Sequence, residues 1–136
     1  MGVSLLLVAA AVGAPALKDK PANPDLYGEW DSLQVDGETG GPAFRYRFNK
    51  DGTWQVFWGG KELNGSRGFR FDPKARPAEI DLNTPPGPKT PLVRGIYRIE
   101  GDELWITTPK EGDRRPTEFR GPSTVLEIFR RAKPKD

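Results

Sequence analysis

Cysteine and histidine are both absent from the 136-residue chain. Their absence removes disulfides, thiol nucleophiles, Ser-His and Cys-His catalytic pairs, and metal sites ligated through nitrogen or sulfur. Carboxylate, hydroxyl, lysine, arginine and backbone chemistry remain, and no metal or organic cofactor is expected. A field of one sign is also lacking: 21 Lys and Arg stand against 19 Asp and Glu, a formal net charge of +2. Bulk attraction to a polyanion is therefore weak, and nucleic acid is not an expected partner. No apolar run reaches the roughly 18 to 20 residues that a membrane-crossing helix needs, so no transmembrane segment is expected in the mature chain. Helical periodicity is missing beyond the first residues, because 16 Gly and 14 Pro interrupt the sequence at short intervals. A length of 136 residues leaves room for one domain.

What is present begins with an apolar run, Val3 to Val12, that leads into Ala14-Pro15-Ala16. This small-x-small pattern reads as a secretory signal over residues 1–16, with cleavage after Ala16 and a mature chain starting at Leu17. The protein is accordingly expected to be exported, to a periplasm or the extracellular space. Residues 17–25 read as a disordered spacer, 26–131 as the folded domain and 132–136 as a basic, solvated tail. A domain of this size buries enough surface to fold without covalent staples.

Within the domain the pattern has period two. Ala43 to Trp58 is the best-defined hairpin: Asn49-Lys50-Asp51-Gly52 is a type I turn closed by a left-handed Gly, which pairs Asn49 with Thr53. Phe48 then faces Trp54, Tyr46 faces Val56 and Phe44 faces Trp58, all on one face, with Arg45, Arg47, Gln55 and Phe57 on the other. A second hairpin runs from Gly95 to Thr108. Its two-residue Gly101-Asp102 loop sets Tyr97, Ile99, Leu104 and Ile106 inward and places Arg98 over Trp105 outside. Trp58-Gly59-Gly60-Lys61 turns tightly into a strand over Leu63 to Phe71. Shorter strands cover Ala78 to Leu82 and Thr124 to Arg131, and an opening strand covers Tyr27 to Val35. Eight strands so spaced predict an all-β fold, an antiparallel up-and-down barrel or a sandwich. The Pro-rich stretches Asp72 to Pro77, Pro85 to Pro91 and Pro109 to Pro116 read as rigid connections.

Several segments carry a resemblance. Leu26-Tyr27-Gly28-Glu29-Trp30 has the G-x-W form found at the start of lipocalin-like barrels. Together with Pro77 to Asp81, Gly95 to Leu104 and Arg115 to Phe119, it resembles a small exported domain of unknown function that recurs in planctomycete bacteria. The resemblance spans about Leu26 to Arg131 and implies a lipocalin-like barrel and export, not a reaction. It also implies that Trp30 plugs the closed end with an Arg of the last strand packed across it. Arg130 is the expected partner, with Arg131 the alternative.

An eight-stranded barrel is either filled by side chains or holds one small ligand. If it holds one, Tyr46, Trp54, Trp58 and Tyr97 are the expected lining. Arg67 would point inward on strict alternation, where it could meet a ligand carboxylate, but Gly65 and Gly68 beside it predict a bulge that turns it outward. The acids near turns, Asp72, Asp81, Asp102 and Asp113, have no spacing that fixes a catalytic pair. Gly59-Gly60-Lys61 lacks the upstream glycine and following helix of a phosphate loop. The expectation is an exported, non-enzymatic barrel that binds a small apolar or amphipathic molecule. A structural or protein-interaction module of the cell envelope is the first alternative, and a carboxylate-based hydrolase the weaker one.

Overall fold

The turn at Asn49 sets the register of the first hairpin. The Asn49 N–H donates to the Thr53 carbonyl at 2.8 Å, the Gly52 N–H donates back to Asn49 at 3.1 Å, and Gly52 takes φ +88°. This is a type I turn with a left-handed closing glycine, and it pairs Phe48 with Trp54, Tyr46 with Val56 and Phe44 with Trp58. The structure, a computed structural model, describes residues 25–38 and 44–132. The expected signal over 1–16, spacer residues 17–24 and tail residues 133–136 lie outside the described residues.

Eight strands follow one another in chain order: β1 (Gly28–Val35), β2 (Phe44–Phe48), β3 (Thr53–Trp58), β4 (Lys61–Asp72), β5 (Ala78–Leu82), β6 (Val93–Glu100), β7 (Glu103–Pro109) and β8 (Thr124–Arg131). Each pairs antiparallel with the next, and β8 pairs with β1, so the sheet closes into an up-and-down barrel. Closure removes both sheet edges, which matters for a chain without disulfides. The β6–β7 register places Glu100 opposite Glu103, Ile99 opposite Leu104 and Arg98 opposite Trp105, with Gly101 at φ +59° in the two-residue turn. Among the described residues, no helix is long and apolar enough to cross a membrane.

Alternate strand ends gather at two rims. At the base, where β1 begins and β8 ends, Leu26, Trp30, Phe48, Leu104 and Phe129 are fully buried. Each such side chain contributes roughly 1.5 to 3 kcal/mol relative to exposure. The Trp30 indole N–H donates to the Leu26 carbonyl at 2.9 Å, so the plug leaves no polar group unpaired.

The guanidinium across that plug belongs to Arg131, 4.1 Å from the Trp30 ring, and not to Arg130, which is exposed on the outer face opposite Glu103 and Asp31. The reason is parity. β8 turns Val125, Glu127, Phe129 and Arg131 inward, although Leu126 and Ile128 look the more apolar set. Those two are buried on the outside, as are Ile96 and Thr107. The segment 110–123 lies over this outer face: the Thr107 hydroxyl donates to the Phe119 carbonyl at 2.9 Å, and the Phe119 ring meets Trp105 edge-on at 6.0 Å. Arg98 stacks on Trp105 at 4.1 Å, as the alternation predicts. The stretch Pro109 to Pro116 is therefore part of an outer clasp.

Candidate functional site

The open rim collects Val35, Phe44, Trp58, Leu63, Val93 and Thr108, none of them fully buried. Trp58 is 48% exposed and packs against Phe44 at 5.0 Å between ring centroids. It is the last residue before the Gly59-Gly60 turn, so its ring stands at the lip of the barrel and not in its interior. Tyr97 sits elsewhere. Its ring lies 6.1 Å from Phe71, which in turn meets Tyr27 at 5.5 Å, in the aromatic cluster near the base. Burial, helped by the Asp72 charge, pushes the Tyr97 hydroxyl up to about 12. Of the four expected lining residues, the structure brings Tyr46 and Trp54 together, at 5.2 Å, and leaves Trp58 at the lip and Tyr97 near the base.

Around Tyr46 and Trp54 the interior is polar in a way the sequence reading missed. The Tyr46 hydroxyl donates to the Glu127 carboxylate, 3.1 and 3.2 Å from its two oxygens. Burial is the main cause that raises the Glu127 carboxyl above its ordinary value, against the opposing effect of the Tyr46 hydrogen bond. Desolvation, reinforced by the Glu127 charge, holds the Tyr46 hydroxyl well above the usual phenol range. As a whole residue Tyr46 is nevertheless only partly buried, part-way down the barrel.

Arg67 points inward, contrary to the expectation of an outward swing. Its guanidinium stacks on the Trp54 ring at 4.4 Å, and its Nε is buried without a hydrogen-bond partner. The bulge that was expected to turn it is real, but it inserts an even number of residues. Trp54 pairs with Arg67 and Val56 with Leu63, so two steps on β3 match four on β4, and parity survives. Gly65, at φ +68°, absorbs the bulge. Gly68 does something else. A Cβ there would collide with the Thr84 carbonyl oxygen, because the Asn83 and Thr84 N–H groups both donate to the Gly68 carbonyl. Asn83, buried and at φ +67°, then accepts the Trp54 indole N–H at 3.3 Å and donates to the Pro91 carbonyl at 2.8 Å. The connection after β5 thus fixes the indole on which Arg67 rests.

Three of the four acids near turns have engaged carboxylates. Asp72 caps the Lys74 N–H at 3.0 Å, Asp81 pairs with Arg115 at 2.8 Å, and Asp113 pairs with Arg94 at 3.6 Å. Asp102 sits in the β6–β7 turn, where its carbonyl accepts the Arg131 N–H at 2.7 Å. A cleft of about 390 Å³ opens on the outer surface within the clasp, lined among others by Glu111, Arg114, Thr117 and Ser123. No family model matches the chain, and neither does any curated protein sequence.

Proposed function

We propose that this barrel holds a small apolar or amphipathic molecule in the open half of its interior and performs no catalysis. The observation that carries this reading is Tyr46: an inward residue below the lip, packed beside Trp54, that is not fully buried. A fully packed core buries its inward residues throughout, whereas ligand sites combine apolar walls with a few polar groups. The inward Glu127 and Arg67 supply those groups. The apolar leader over 1–16, and the resemblance to an exported planctomycete domain, support export to a periplasm or the extracellular space.

Titration of the purified protein with uncharged N-phenyl-1-naphthylamine, with tryptophan excitation, tests the reading. Expected is a saturable, one-to-one rise in probe emission that excess decan-1-ol reverses. The absence of saturable binding overturns it. A second reading, a contact surface for another protein, draws on the exposed Trp58 ring against Phe44. Under it the probe finds no site, while the lip still binds its partner. A carboxylate hydrolase is the weaker third, since the Asp72, Asp81 and Asp113 carboxylates are each engaged separately.

A further inference from the structure

Several arginines on the outside of the barrel are matched to acids. Arg45 is held by Asp31 at 2.7 Å and Glu29 at 3.0 Å, Arg47 by Glu29 at 2.6 Å, and Arg115 by Asp81 at 2.8 Å. Arg67 is not. Among the described residues no carboxylate pairs with its guanidinium, and the one inward carboxylate next to Tyr46, that of Glu127, takes its hydrogen bond from the Tyr46 hydroxyl. The Arg67 Nε–H is buried and donates to nothing. A guanidinium stays protonated under such conditions, so the barrel wall carries a partly buried cation whose Nε–H is directed at no protein acceptor.

An arrangement of this kind costs stability unless something completes it. The stacking on Trp54 at 4.4 Å offsets part of the cost and fixes the plane of the guanidinium. It leaves the in-plane N–H groups free, and these match the two oxygens of a planar carboxylate. Charge narrows the choice further. Glu127 is one hydroxyl away through Tyr46, which itself feels the Arg67 charge. A dianionic phosphate would place excess negative charge beside that carboxylate, whereas a monoanion balances Arg67 alone. The surroundings, Tyr46, Phe44, Leu63 and Val93 toward the lip, are apolar and partly accessible, and suit a hydrocarbon body.

We propose that the inward guanidinium of Arg67, stacked on Trp54, anchors the carboxylate of an apolar-tailed monocarboxylic acid. This rests on the reading that the open half of the barrel takes a guest, and it names the guest's head group.

The test compares decanoate, decan-1-ol and decyltrimethylammonium, each below its micellar concentration, on the purified protein. Binding is read by tryptophan emission and by the ¹⁵N–¹H resonance of the Arg67 Nε, identified by its loss in Arg67→Lys. Expected is an affinity for decanoate at least about tenfold above that for the alcohol, with the Nε resonance moving only for the acid. In Arg67→Met the acid loses this advantage and binds like the alcohol. Arg67→Lys, which keeps the charge without the planar fork, falls between the two. Equal affinity for acid and alcohol, unchanged in Arg67→Met, overturns the anchor and leaves the guest-binding barrel standing. Preference for the cation overturns it in favour of Glu127 as the anchoring charge. Failure of all three to bind overturns the guest-binding reading, and the anchor with it.

Discussion

Burial raises the Glu127 carboxyl above its ordinary value, so the folded barrel holds that proton more tightly than the unfolded chain does. Between the ordinary glutamate value, about 4.3, and the raised value in the barrel, the folded state binds more protons than the unfolded one. Stability therefore falls as pH climbs through that window, and above it the cost of the buried charge is felt in full. Glu127→Gln removes the ionisation and keeps an oxygen for the Tyr46 hydroxyl. Its urea midpoint, measured against the wild type, is expected to shift in the variant's favour as pH rises from about 4 to neutral. A difference that stays constant over that range contradicts the assignment. Neither Glu127 nor the true direction of Arg67 was legible in the sequence, for one physical reason: both depend on strand parity, which a bulge or a covered outer face can disguise. Tyr46 and Trp54 were legible because the turn at Asn49 fixes their register by local chemistry alone.

At the scale of elements, closure of the barrel joins β1 to β8 through one stacked pair. Arg131 lies 4.1 Å over Trp30 and donates to the carbonyls of Tyr27 and Asp25 at 3.1 and 2.9 Å, so it ties the chain entering β1 to the end of β8. Arg131→Ala loses the stack and two charge-assisted hydrogen bonds to backbone oxygens, an expected cost of about 2 kcal/mol. Arg130→Ala, on the exposed outer face, is expected to stay within about 0.5 kcal/mol of the wild type. Urea denaturation followed by tryptophan emission measures both, and equal effects would return the closure to Arg130. The hairpins β2–β3 and β6–β7 could be read from their turns. The clasp over 110–123 could not, since it has no period of its own. It lies over Thr107 on the outer face, and with Leu126 and Ile128 buried on that face β8 carries large apolar residues on both sides, which removes the alternation that would have named Arg131.

For the whole molecule, the up-and-down order makes seven of the eight strand pairings local and one remote, as Arg131 reaches the Tyr27 carbonyl across 104 positions of sequence. The entropy of closing so long a loop has to be overcome before the remote contacts return anything, so closure is expected late in folding, after the β2–β3 hairpin. Two substitutions separate these stages. Gly52→Ala puts a side chain at φ +88°, where a Cβ meets nothing within 4 Å, so its cost is backbone strain alone, roughly 1 to 2 kcal/mol. Arg131→Ala removes only closure contacts. In stopped-flow experiments read by tryptophan emission, Gly52→Ala is expected to slow refolding and leave unfolding nearly unchanged. Arg131→Ala is expected to accelerate unfolding and leave refolding nearly unchanged. Should Arg131→Ala slow refolding as much as Gly52→Ala does, the ends of the barrel have already met at the barrier. Local turn chemistry would then account for the register of the hairpins but not for the order in which the barrel assembles.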